Sequence, residues 1–277
     1  MQKEHLRILV IDTDPHASLT SYLGFDDDKL EYSLFDLYAQ ENLTRDNVLR
    51  CVSHTEHVGL DIIAASMTLA TIDRQLSGRQ GVGRILSKAL ALIDDCYDVV
   101  LIDCPPVLGA LMVNALVSAS LILVPTQTEF LALKGLEGMV RTFDIMTSAD
   151  PKSNFSYVIV PTMYDKRTKA SQSSLAYLQK NYQDKVWDNC IPIDTRFRES
   201  SSKRMPLPIM DAHTRGSIAY HDLAIDMVNM ELSCHPDLVT PSLAAITSYD
   251  ANDNFAHQRR KQMNNATVAK MVSSDLA

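Results

Sequence analysis

The chain has 277 residues, 46% of them hydrophobic, and its 26 Lys and Arg against 34 Asp and Glu leave a net charge of −8. That is length and apolar content for one good-sized domain plus a tail, with an acidic balance that excludes a basic nucleic-acid coat but leaves room for a local basic patch. The five cysteines (Cys51, Cys96, Cys104, Cys190, Cys234) form no C-x-x-C pair, which speaks against a disulfide framework or zinc site and for a reducing cytoplasm. No run of about 18 apolar residues could span a membrane, and residues 1–6 are too short and too charged for a signal peptide.

Residues 1–6 (MQKEHL) read as the last turns of a helix running straight into a strand at 8–11. That apolar run stops at Asp12-Thr13-Asp14-Pro15; Pro15 turns the chain off the sheet, and residues 16–22 can begin a helix. Residues 30–40 carry helical spacing at Leu30, Leu34, Leu37 and Tyr38. Residues 46–52 read as a short helix, 60–64 as a strand, and 67–76 and 82–94 as helices. Residues 99–103 (VVLID) form a second buried strand, ending in Asp103-Cys104-Pro105-Pro106. There follow a helix over 108–118, a strand over 121–124 closed by Pro125, and an amphipathic helix over 131–146. A strand over 157–161, a helix over 171–181, a short strand over 189–193 and a helix over 217–232 complete the pattern. From 233 to 277 the periodicity fades into what reads as a polar, poorly ordered tail.

Continuous apolar strands alternating with helices predict a doubly wound, mostly parallel α/β sheet with helices on both faces over residues 1–232. Right-handed crossovers put all strand C-termini on one edge. Asp12, Asp14, Asp103 and the loops after Pro125 and Pro161 then gather where such sheets bind ligands. Two acids at one strand tip and a third at another suit a metal-assisted phosphate site, with Asp103 placed as a Walker B acid is. Taken singly, each could as well cap the next helix. The G-x-x-x-x-G-K-[ST] loop that should accompany them is absent from the sequence. The nearest string, GRQGVGRI at 78–85, has Arg84 in place of lysine and Ile85 in place of Ser or Thr, and it follows a helical pattern rather than a strand.

Five stretches together resemble the ParA/Soj/MinD-type partitioning ATPases of the P-loop class. They are IDTDPHASLTSYLG (11–24), YDVVLIDCPPVLGALMVNAL (97–116), LVPTQTEFLALKGL (123–136), PTMYDKRTKAS (161–171) and IPIDTRFRESS (191–201), in the family's order. DPHASLTSYLG, EFLALKGLEGMV and residues 186–198 look most like the ParA-like proteins of bacterial chemotaxis operons, called ParC in some genera. The resemblance implies ATP and Mg²⁺ as cofactors, an ATP-dependent homodimer and hydrolysis stimulated by protein partners at the cell pole or in chemotaxis arrays. By position, Asp14 matches the acid that places the attacking water, Asp12 an acid near Mg²⁺ and Asp103 the Walker B acid. Met163 and the loop of Pro192 and Asp194 match the region that packs on adenine; ordinary core and turn are the plainer reading of Met163 and Pro192. His16 stands where most relatives carry Gln, in a solvated or capping role or touching phosphate.

The sequence departs from the family in one respect. Members have a strand, a K-G-G-V-G-K-T loop and a helix before the strand equivalent to 8–11, and none of these is in the sequence. The expectation is a truncated domain, or a gene model begun at an internal methionine. Neighbouring sheet edges should then be unpaired and apolar surface exposed, and ATP should bind little or not at all.

Residues 163–216 hold ten basic and six acidic residues. Arg167 and Arg196 match positions where chromosomal relatives carry DNA-contacting arginines, which implies non-specific, salt-sensitive DNA binding; a solvated basic face is the plainer reading. Three functions therefore stand side by side: an ATPase that positions chemoreceptor arrays, a non-enzymatic truncated module that binds the same partners, and a chromosome or plasmid partitioning ATPase that binds DNA.

Overall fold

The computed structural model describes residues 6–72, 75, 82–106, 108–149 and 156–234. The chain divides into two units, of which the larger is His5–His221; the described part of the other, 222–234, is the C-terminal portion of the last helix. Everything below concerns the larger unit. Residues 235–277 of the tail, residues 1–5 of the helix end expected over 1–6, and half of the 78–85 string lie outside the described residues.

Among the described residues the strands are β1 (Ile8–Asp12), β2 (Val52–His54), β3 (Leu60–Ile63), β4 (Val99–Asp103), β5 (Leu121–Gln127) and β6 (Ser156–Thr162). Sheet order is β2-β3-β1-β4 in one sheet and β5-β6 in another, all parallel except β2, which runs antiparallel to β3. The helices are α1 (Ser18–Tyr22), α2 (Leu34–Ala39), α3 (Arg45–Arg50), α4 (Ile85–Ala91), α5 (Ala110–Ser118), α6 (Phe130–Ala149), α7 (Lys169–Tyr182), α8 (Arg196–Ser202), α9 (Leu207–Met210) and α10 (Arg215–Cys234). Among the described residues no helix is long and apolar enough to cross a membrane. The architecture is the mostly parallel α/β fold that the sequence predicts.

In the larger sheet β1 and β3 are covered on both faces. Leu9, Ile11 and Ile63 pack with Leu34 and Leu37 of α2, Leu86 and Ala89 of α4, and Leu111 of α5. On the opposite face Ile62 and Ala64 pack with Leu19, Tyr22 and Leu23 around α1. Alternation of side chains along a strand explains why β1 and β3 need apolar residues at successive positions. Asn114 of α5, fully buried, accepts from the Ile85 and Leu86 N–H groups at 3.0 and 3.3 Å and donates to the Ala110 carbonyl. It thereby satisfies the amides that open α4.

Several boundaries differ from the expected ones. Helix α2 begins only at Leu34, because Ser33 and Asp36 form a capping box there. The helix expected over 46–52 ends at Arg50, and the chain goes directly into β2, a three-residue edge strand too short to show a pattern. Residues 67–71 form a 3-10 turn, and α4 is shorter than its 82–94 pattern. Pro125 does not close β5. Thr128 donates to the Thr162 carbonyl and Ser156 to that of Ser120, so even-numbered residues of β5 face β6 and Pro125 turns its missing N–H to the other edge. The strand expected over 189–193 is no strand: a single parallel bridge joins Pro192 to Tyr164.

Among the described residues β4 pairs only with β1, and β5 only with β6. Val100 and Leu101, on opposite faces of β4, are 37% and 45% exposed, whereas Leu9–Ile11 of the adjoining β1 are buried.

Candidate functional site

Register sets the first group of site residues. β1 and β4 pair from Ile8↔Val99 to Asp12↔Asp103, which brings the two strand-end acids side by side. Thr13 extends the pairing past the strand end, donating to the Asp103 carbonyl from its N–H at 3.0 Å and from its hydroxyl at 2.6 Å.

Asp12 is fully buried. Its Oδ1 accepts from the Asp14 N–H at 3.1 Å, and its Oδ2 from the Thr20 N–H at 2.9 Å and hydroxyl at 2.7 Å. The Thr20 hydroxyl in turn accepts from the Ala65 N–H at 2.9 Å, so one side chain ties the tip of β1 to the chain leaving β3. Burial pushes Asp12 above the usual carboxylate range, and the bonds from Thr20 and Asp14 only partly offset it.

Asp14 is two residues on. Its Oδ1 accepts from the His16 N–H at 2.9 Å and lies 2.8 Å from His16 Nδ1. Its own carbonyl accepts from Ala17, a non-glycine residue at φ 52° that turns the chain into α1. At Asp103, desolvation and then the charges of Asp12 and Asp14 push the carboxyl up to about 6. Water reaches this residue from the open side of β4, and it weakens both the desolvation and the like-charge repulsion. The neighbouring Cys104 thiol, pushed up to about 11 by burial and by Asp103, stays protonated and unreactive.

A second group forms at the end of β6. Met163, at φ 53° and half exposed, is held through its carbonyl, which accepts from the Thr128 hydroxyl at 3.4 Å. Thr128 and Ser171 share a 2.5 Å hydroxyl contact, and Ser171 also accepts from the Asp165 N–H. The Tyr164–Pro192 bridge places Pro192 beside this turn. Asp194 accepts from the Arg196 and Gly216 N–H groups at 3.0 and 2.9 Å. Burial opposes its charge, but those bonds win and hold it below the usual range. Sequence reading brought Met163, Pro192 and Asp194 together, as the structure does. No hydrogen bond or ion pair among the described residues joins this group to the acids of β1 and β4.

The two candidate DNA-contacting arginines are not bare cations. Arg167 forks onto Asp165 at 2.9 and 2.8 Å and holds that carboxyl down to about 2. Arg196 pairs with Glu199 and Asp211, both at 3.1 Å.

Among the described residues no group of three His, Cys, Asp or Glu side chains is arranged to hold a metal ion directly. The acids fit a hydrated cation instead. Asp12 has both oxygens taken by N–H and O–H donors, while Asp103 carries the repulsion that a divalent charge would relieve. Sequence reading missed Thr20 as the partner of Asp12. A threonine two residues into a short helix signals only a local turn, and Ala65, its other partner, lies 45 residues away.

Comparison with known proteins places the chain in a family. The AAA domain family matches residues 1–156. The chain is similar to the chromosome partitioning protein ParA of Caulobacter vibrioides, 34% identical over 228 residues that cover 81% of this chain and 84% of that one. It is also similar to the sporulation initiation inhibitor protein Soj of Bacillus subtilis, 30% identical over 218 residues covering 79% and 85%. A solved structure with a similar fold is cobyrinic acid a,c-diamide synthase of Mycobacterium smegmatis with a bound ATP analogue and magnesium. It has a TM-score of 0.68 and 29% identity over 83% of this chain and 84% of that one.

Proposed function

Because this chain belongs to the ParA/Soj family of P-loop partitioning ATPases, we propose that it serves an ATP-driven cycle that positions or segregates cargo in the cytoplasm. Chemoreceptor arrays at the cell pole are the cargo that its sequence features favour. In this reading ATP closes a homodimer, protein partners stimulate hydrolysis, and the dimer reopens. The ATPase domain is residues 1–232 and the tail 233–277. The observation that supports the reading most directly is the register that sets Asp12 against Asp103 with Asp14 beside them.

Each side chain has a distinct part. Asp14 orients the attacking water and accepts its proton. Asp103, crowded by like charges, would hold a hydrated Mg²⁺, with Asp12 beneath it adding to the negative field. When bound, the ion offsets charge on the terminal phosphates. Asp12 also fixes the loop on which Asp14 sits. Met163 and Pro192 offer an apolar platform for adenine, and Asp194 anchors the outer end of that loop through Gly216 and Arg196.

The 277-residue sequence contains no G-x-x-x-x-G-K-[ST] loop, whose backbone amides and lysine would cradle the phosphates. The second reading is a non-enzymatic module that binds the same partners. Calorimetric titration of this chain with Mg·ATP should show no micromolar binding; a micromolar Kd would overturn the module reading. Translating the codons upstream of Met1 separates the two further. An in-frame K-G-G-V-G-K-T supports the ATPase, and the longer chain should then dimerise with ATP in sedimentation, whereas a stop codon supports the module. Non-specific DNA binding is the third reading. It requires a low-salt gel shift that weakens in Arg167→Ala and Arg196→Ala, and it fails if the unaltered protein gives no shift.

A further inference from the structure

His16 has an exposed ring, 81% accessible, so packing gives it nothing to do. Pro15 lies between it and Asp14 and carries no N–H, so the first donors the chain can offer Asp14 after the turn are those of His16. Both are used, and on the same oxygen: the backbone N–H at 2.9 Å and the ring Nδ1 at 2.8 Å, each to Oδ1. Among the described residues nothing hydrogen-bonds Oδ2 of Asp14. Asp12 differs, since both of its oxygens are engaged.

We propose that His16 is a positioning residue for Asp14: its Nδ1–H, with its backbone N–H, occupies Oδ1 and leaves Oδ2 as the single oxygen presented to an incoming water. This rests on the reading of Asp14 as the acid that places the water. A carboxylate with two equivalent free oxygens can rotate and accept from either. One oxygen pinned by two donors leaves a single direction for the other, and orientation of the nucleophile is where positional precision counts in phosphoryl transfer. The geometry also fixes the tautomer. To donate to Oδ1 the neutral ring must carry its proton on Nδ1, leaving Nε2 as an acceptor that faces solvent.

The test needs no nucleotide. In the full chain labelled with ¹⁵N-histidine, two-bond ¹H–¹⁵N spectra at neutral pH report the tautomer of each ring, and His16→Gln identifies the signal. His16 should show the Nδ1–H form, the reverse of the Nε2–H form preferred by a free histidine side chain. Asp14→Asn, which keeps an oxygen acceptor, should retain the Nδ1–H form, and Asp14→Ala should revert to Nε2–H. An Nε2–H ring in the unaltered chain overturns the proposal, as does a tautomer that Asp14→Ala leaves unchanged. If Asp14→Ala fails to fold, the unaltered chain and Asp14→Asn still decide. The reading of Asp14 itself fails in a different measurement: hydrolysis by a nucleotide-binding form of the protein that Asp14→Asn does not slow.

Discussion

Replacing Thr20 by Val is the sharpest test of how the acidic site is built. Valine keeps the β-branched shape in a fully buried position and removes only the hydroxyl. Two bonds go with it: the 2.7 Å donation to the Asp12 carboxylate and the 2.9 Å acceptance from the Ala65 N–H. A hydrogen bond to a charged group contributes about 1.5–3 kcal/mol, and an orphaned buried N–H costs about 1–3 kcal/mol. Asp12 keeps its bonds from the Thr20 and Asp14 N–H groups, so the expected loss lies near the lower sum, about 2.5 kcal/mol. With a urea m-value of about 2–3 kcal/mol/M, the midpoint should fall by roughly 1 M. Trp187, the only tryptophan and a buried one, reports it by fluorescence. Thr20→Ser keeps the hydroxyl and should recover most of the loss. The pH dependence has a definite sign. Burial raises Asp12 in the fold, so its ionisation costs stability as pH rises through its folded pKa, and the Thr20 hydroxyl reduces that cost. The gap between Thr20→Val and the unaltered chain should therefore be widest at pH 7 and narrow as pH falls and Asp12 protonates. Equal stability of Val and Thr, or a Ser variant as weak as Val, would refute the reasoning.

Three other outcomes are expected. Asp103→Asn removes a carboxylate that desolvation and its acidic neighbours push up to about 6; such a group costs stability above its folded pKa and nothing below the ordinary carboxylate range, so the variant should melt higher at pH 7 and the difference should vanish as pH falls below the ordinary carboxylate range, and a lower Tm at pH 7 counts against it. Gly216→Ala would put a Cβ 2.6 Å from two ring atoms of Phe197, costing about 1–3 kcal/mol, of which Phe197→Leu in the same chain should return part; an unchanged melting curve for the single variant disproves the close approach. Asn114→Leu strands the Ile85 and Leu86 N–H groups at about 1–3 kcal/mol each, and these two amides should lose hydrogen-exchange protection ahead of the sheet.

The parallel core was legible because it is written locally. ILVID and VVLID are apolar up to a terminal acid, the pattern of parallel strands in α/β sheets, and those acids are what their register then aligns. The errors fall where a local rule met a non-local partner. Pro125 reads as a strand end until the direction of its missing N–H is known, and that depends on β6. The segment 189–193 has strand composition but makes one bridge, in which its Ile193 amide donates to Tyr164 while the Ile191 amide donates to Pro161, beside the Met163 turn. β2, α8 and α9 are too short for any period to declare them. At the site the acids were visible and their supports were not: Thr20, Thr128 and Ser171 are hydroxyl residues whose partners lie 35 to 45 positions away.

That difference between acids and supports bears on what the site can do. In sequence Asp12 and Asp14 are interchangeable carboxylates one residue apart. In the fold one is enclosed by three donors and the other is held by a single oxygen. A carboxylate whose acceptor sites are already filled by N–H and O–H groups gains little from orienting a water, because each new bond must displace an existing one. A carboxylate with one oxygen fixed and the other unengaged has lost its rotational freedom without losing its capacity to accept. The same turn produces both states: the Asp14 N–H that helps to fill Asp12 is donated by the residue whose side chain is left half open. Burying the first acid is thus what orients the second, and Thr20 and His16, one behind each carboxylate, keep the two roles apart.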